Sequence, residues 1–150
     1  MRVIVQRVLS ASVASGDESA VHIGPGLLVL SGIAPADDQA ALGWMCRKVV
    51  NLRIFDDEAG RMNRSVKDIG GEILLVSQFT LYSDVSSGNR PGFSGAAGYD
   101  IAKPLFEKFH QMVQQEMERP VATGWYGEHM QVALVNDGPV TLIIDSPTRS

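Results

Sequence analysis

The run Leu27-Leu28-Val29-Leu30 constrains this chain more than any other stretch. It carries no polar side chain, and Gly24-Pro25-Gly26 bounds it in front. A short apolar run between turn residues reads as a strand buried on both faces, so other elements must cover each side of it. Further strands are at hand. Val3-Ile4-Val5 opens one that runs to about Leu9, and Ser12-Val13-Ala14 and Val21-His22-Ile23 flank the polar turn Gly16-Asp17-Glu18-Ser19 as a hairpin. Leu52-Arg53-Ile54-Phe55 reads as another strand, with Asp56–Gly60 as its turn. Ile73–Tyr82, after Gly70-Gly71, is the longest candidate, apolar at first and then polar. Met130–Val135 and Val140–Asp145 read as two strands joined by Asn136-Asp137-Gly138-Pro139.

Two helices are predicted. The first starts near Pro35-Ala36-Asp37-Asp38, where Asp37 can cap free N–H groups, and buries Leu42, Met45, Cys46 and Val49 at helical spacing. Cys46 on that stripe reads as a core thiol. The second spans about Asp100–Glu118, with Ala102, Leu105, Phe106, Phe109, Met112 and Val113 in phase and Pro104 tolerated in the first turn. Ser83–Gly98, rich in Ser and Gly, is a loop. The expected class is α+β: curved, mostly antiparallel, barrel-like sheets with two packed helices, forming a single domain over residues 1–150.

With 150 residues and 45% hydrophobic content there is material for one core. No apolar run approaches the roughly 20 residues of a membrane span. Gln6 and Arg7 interrupt the N-terminus too early for a signal peptide, so a cytoplasmic protein is expected. A lone cysteine excludes an internal disulfide. The net charge of −4, from 17 acidic and 13 basic side chains, argues against non-specific nucleic-acid binding. Arg47, Lys48, Arg53, Arg61, Arg64 and Lys67 nevertheless crowd one stretch. They form either an ordinary solvated surface or a site for phosphates, and charge alone does not decide.

Familiar catalytic signatures are missing. Gly24-Pro25-Gly26 opens a strand and is no dinucleotide turn, and there is no phosphate loop, His-Glu-x-x-His or Gly-x-Ser-x-Gly. His22, His110 and His129 share no metal-ligand spacing, so no metal site is expected. If the chain is an enzyme, backbone groups must do much of the work. Two segments stand out. In Ser77-Gln78-Phe79-Thr80-Leu81, polar side chains interrupt an apolar strand, where each unpaired group would cost roughly 1–3 kcal/mol. In Asn136-Asp137-Gly138-Pro139-Val140-Thr141, Asp-Gly suggests a hairpin turn, but the following proline removes a ladder donor. A plain turn and a functional kink both fit.

Taken together these two segments resemble the two signature motifs of the D-aminoacyl-tRNA deacylase family. The resemblance covers the whole chain and includes Val5-Gln6-Arg7-Val8, Gly24–Leu30, Leu52–Phe55, Gly60-Arg61-Met62-Asn63, Gly88-Asn89-Arg90-Pro91 and Thr123-Gly124. It implies a homodimeric hydrolase that removes D-amino acids, and glycine, from the aminoacylated 3′ end of tRNA, with no cofactor. Ser77, Gln78, Phe79 and Thr80 should line the pocket for the terminal adenosine and the ester. Gly138-Pro139 should be a cis dipeptide that enters the partner's pocket and rejects L side chains, with Arg7 bracing it. Backbone amides near Gln78 and Phe79 would stabilise the oxyanion, and water would attack with help from the terminal 2′-hydroxyl. Thr80 is either a nucleophile or a positioning group, and no histidine or lysine in the motifs can activate it.

Glu128 stands where the family carries a small residue, and Gly92 replaces a serine. Neither lies in the two motifs, which confines their expected effect to fine substrate preference. Two rivals remain. A non-catalytic RNA-end-binding dimer would explain the pocket but not the Gly-Pro filter. A related deacylase that edits an L-amino acid departs from the Ser77–Leu81 motif.

Overall fold

The computed structural model describes residues 1–148. Its strands are β1 (Arg2–Ala14), β2 (Val21–Ile23), β3 (Gly26–Gly32), β4 (Phe55–Asp56), β5 (Met62–Arg64), β6 (Glu72–Ser77), β7 (Ala122–Thr123) and β8 (Gln131–Asp145). Its helices are α1 (Gln39–Asn51) and α2 (Tyr99–Met117). β1 pairs antiparallel with β2, β3 and β8, while β6 runs parallel to β3 and to β7. The fold is α+β, with a mixed sheet curled almost into a barrel and two helices against it.

The apolar run in β3 explains this arrangement. Leu27 and Val29 face one core with Val3, Val5, Ile73 and Leu75, closed by Leu42, Met45, Phe106 and Phe109 of the two helices. Leu28 faces the other way, into a core of Val8, Val13, Ile23, Leu74 and Val76 enclosed by the curling sheet. Each face of the strand thus has its own cover. The helices are also the connections between parallel strands: α1 lies between β3 and β6, α2 between β6 and β7, since a parallel pair needs a long crossover.

Several local expectations change. Asp38 caps α1, accepting from Ala41 N at 3.0 Å, while Asp37 accepts from Ala34 N and pairs with the Met1 ammonium. Pro104 falls in the second turn of α2, where it withholds an N–H from the Asp100 carbonyl. Leu52–Ile54 leave the end of α1 as irregular chain, and only Phe55–Asp56 pair, with β5. The long strand expected over Ile73–Tyr82 stops at Ser77, and Phe79–Tyr82 form a 3-10 turn.

The largest correction concerns the C-terminal strands. Met130–Val135 and Val140–Asp145 are not a hairpin, because both halves pair with the same edge of β1 as one continuous strand. Between the pairs Gln6–Thr141 and Val8–Asn136, β1 contributes only Arg7, whereas β8 contributes Asp137, Gly138, Pro139 and Val140. The extra residues loop out as a wide bulge. A proline that would break a ladder is accommodated there, because the bulged residues make no ladder pair.

Candidate functional site

The polar interruption after β6 is the floor of a cavity of about 730 Å³, lined among others by Ser77, Gln78, Phe79 and Thr80. The strand carries Ser77 to the cavity edge, and the chain then tightens into the 3-10 turn. Gln78 N–H donates to Ser31 O at 2.7 Å. Phe79 and Thr80, the first residues of the turn, have N–H groups without an acceptor among the described residues. The Gln78 side-chain amide donates to the Thr80 hydroxyl. That contact orients the hydroxyl, and it engages polar groups that would otherwise be unpaired beside an apolar strand. Ser31, opposite Ser77 in the sheet, holds a buried hydroxyl with no hydrogen-bond partner among the described residues.

The other wall comes from distant parts of the chain. Tyr99 opens α2, and the segment Tyr126–Met130 turns through Gly127, whose φ of +79° lies in the left-handed region. Tyr126 packs edge-on against Tyr99 at 5.6 Å and tilts on Phe106 at 5.5 Å. Burial, and then the neighbouring Tyr99, raise its phenol above the ordinary value, so it stays protonated at neutral pH. At the mouth Phe79 is 54% exposed and meets the Phe93 ring edge-on at 5.3 Å. An open, largely apolar cavity with aromatic walls and a few polar groups suits a small organic ligand.

Arg7, Gly138 and Pro139 lie elsewhere and are not among the residues lining this cavity. The Gly138–Pro139 bond is cis, and both residues are exposed on the bulge of β8. Arg7, which faces the bulge across the sheet, donates from Nε to Asp137 O at 3.2 Å and pairs with the Asp137 carboxylate at 3.0 Å. Its Nη1 donates to Ile54 O at 2.7 Å. The Asn136 side chain donates to both Arg7 O and Val140 O, closing the base of the bulge from within. The seven residues singled out in the sequence therefore form two groups in one chain: four in a cavity, and three on a braced projection.

Sequence reasoning missed the cavity's second wall and the part played by Asn136. Tyr99 fell between the loop and the helix read from the sequence, and nothing local linked Tyr126–Met130 to Ser77. Glu128 and His129 line the same cavity as the motif, so the departure at Glu128 is inside the site. His110 instead packs half-buried, with Nε2 2.7 Å from Val121 O. Among the described residues no three His, Cys, Asp or Glu side chains converge as a metal site, and no helix is long and apolar enough to cross a membrane.

The family described as D-Tyr-tRNA(Tyr) deacylase matches residues 4–145. The chain is 63% identical over 149 residues to a D-aminoacyl-tRNA deacylase of Chlorobium limicola, covering 99% of each. It is 46% identical to that of Bacteroides thetaiotaomicron, again covering 99% of each. Among solved structures it is similar to the c-Myc DNA Unwinding Element Binding Protein, with a TM-score of 0.91 and 42% identity over 99% of this chain and 100% of that one. A probable eukaryotic D-amino acid tRNA deacylase shares the fold, with a TM-score of 0.82 at 18% identity over 96% and 98% of the two chains.

Proposed function

The chain belongs to the D-aminoacyl-tRNA deacylase family, and from that premise we propose that it hydrolyses the ester of D-aminoacyl-tRNA, and of mischarged glycyl-tRNA, as a homodimer. The observation that carries this reading is the division of the site. The cavity with the free Phe79 and Thr80 N–H groups and the exposed Gly138–Pro139 projection occupy different parts of one chain. Two copies would bring them together, each projection at the mouth of the other's cavity.

The protomer's surface supports such pairing. Among the described residues β8 pairs only with β1, so its outer edge is open. Leu9 and Val135, more than half exposed, flank the bulge. An open edge with exposed apolar side chains is a surface that proteins normally cover.

In the reaction, water adds to the ester carbonyl and the bond from carbon to the ribose oxygen breaks. The proton passes to that oxygen, giving a free amino acid and tRNA. Negative charge gathers on the carbonyl oxygen in between. The Phe79 and Thr80 amides are the donors for it, each contributing about 3–4 kcal/mol when well aimed. With Gln78 N–H committed to Ser31, the donor pair moves one residue along from the sequence expectation. Gln78 holds Thr80, and Ser77 lines the approach. No protein base is needed if the substrate's 2′-hydroxyl helps the water, and the reaction as drawn uses no cofactor.

Chirality is read by exclusion: the projection receives the α-amino group and leaves no space for an L side chain. Glycine has nothing to exclude. The test is hydrolysis of D-tyrosyl-, L-tyrosyl- and glycyl-tRNA with a chelator present, by the wild-type protein and by Pro139→Ala. Cleavage of the D and glycyl esters, with the L ester attacked only by the variant, is the expected result. A wild-type protein inert on every ester would leave the binding-module reading, and a variant that still rejects L would remove the filter.

A further inference from the structure

Resting on that reading, we infer that the groove formed by Trp44, Arg47, Lys48, Asn51 and Arg53 binds the sugar–phosphate backbone of the substrate tRNA, and that it serves the cavity of the partner subunit. The groove encloses about 360 Å³ at the C-terminal end of α1. Its lining holds three cations and no carboxylate. That is notable in a chain of net charge −4, where four other cations are matched by carboxylates. Arg2 pairs with Asp145, Arg7 with Asp137, Arg64 with Glu58 and Lys67 with Glu118. Arg47, Lys48 and Arg53 have no carboxylate within ion-pairing distance among the described residues.

The groove is also ordered from within. Lys48 Nζ sits 5.3 Å from the centre of the Trp44 ring, Arg53 donates to Asn63 Oδ1 at 3.1 Å, and Asn51 donates to Arg47 O at 2.8 Å. Cations fixed around a concavity without a counter-charge suit a polyanion, and an aromatic face beside them suits a ribose or base.

Its place in the fold assigns it to the substrate RNA. Ile54, the residue after Arg53, gives its carbonyl to Arg7, and the same guanidinium holds Asp137 beside Gly138. One side chain thus separates the groove from the projection. Where the projection stands at the partner's cavity, the groove lies next to the RNA leading away from the bound ester.

The test is the triple variant Arg47→Gln, Lys48→Gln, Arg53→Gln. Its affinity for deacylated tRNA should fall about tenfold or more, and its salt slope by about two, since each lost phosphate contact removes roughly 0.7–0.9 from that slope. Hydrolysis of the D-tyrosyl ester of a terminal adenosine, which has no backbone to reach the groove, should be unchanged. That short ester tests the hydrolytic reading separately from the groove. Wild-type affinity and slope in the variant would overturn the proposal. So would groove-dependent binding of duplex DNA as tight as that of tRNA.

Discussion

Arg7 holds Asp137 twice, donating to its carbonyl at 3.2 Å and pairing with its carboxylate at 3.0 Å, while its other arm reaches Ile54 O at 2.7 Å. Arg7 is 8% exposed, so its side chain is a nearly buried clamp between the bulge and the chain leaving α1. Arg7→Ala should lower stability by about 1–3 kcal/mol, because the buried Ile54 carbonyl loses its donor. Arg7→Lys retains charge but cannot span both sites, so it should fold better and still admit L esters. Urea midpoints beside D/L rate ratios check this, and an Arg7→Lys protein with wild-type selectivity would refute the brace.

The open edge of β8 predicts a second outcome. Val135→Asp places charge on the flank of the bulge, where the proposed interface needs apolar surface. Sedimentation should report a monomer, and D-tyrosyl-tRNA hydrolysis should drop at least about tenfold, because interfacial charge without a partner costs several kcal/mol. A fully active monomer would show that one chain completes its own site.

Thr80→Val replaces the hydroxyl that accepts from Gln78 with a methyl group of the same shape. A positioning role predicts a fall of about tenfold in kcat, the low end of what an orienting group supplies, with no acyl-enzyme burst in either protein. A burst of one product per subunit in the wild type would make Thr80 the nucleophile instead.

Burial pushes the Cys46 thiol up to about 11, with Glu116 adding to the effect and Arg47 opposing it. In the unfolded chain the thiol ionises near the ordinary value of about 8.5. The folded state therefore keeps its proton where the unfolded state has lost it. This contribution is complete below that ordinary value and is lost as pH rises through about 11. Thermal melts from pH 8 to 11 should fall more steeply for wild type than for Cys46→Ala, with a difference on the order of 2–3 kcal/mol. Parallel curves would contradict the shift.

Gly26 pairs with Glu72 where β3 meets β6, and a Cβ there would stand 1.8 Å from the Glu72 carbonyl oxygen. Gly26→Ala should cost at least about 3 kcal/mol, because backbone must move at a central parallel pair. Gly92→Ala, whose Cβ would meet only Asp84 O at 3.9 Å, should change stability by less than about 0.5 kcal/mol. Equal denaturation midpoints for the two variants would disprove the contrast.

Residue pattern alone determined what local chemistry can report. Leu27–Leu30 announced a strand covered on both faces, Leu42, Met45, Cys46 and Val49 announced the buried stripe of α1, and two short motifs were enough to suggest the family. Tertiary structure decided the rest. Whether the halves of β8 fold back on each other or lie along one partner depends on β1, which at 13 residues is long enough to pair with both. Asn136–Pro139 spells a turn in either case. The same holds where Ile73–Tyr82 leaves the sheet at Ser77, and where Tyr99 and Glu128 join Ser77 around one cavity. Periodicity tells each side chain whether it faces a core, but not which distant segment it meets there, because that is set by pairing between strands far apart in the chain.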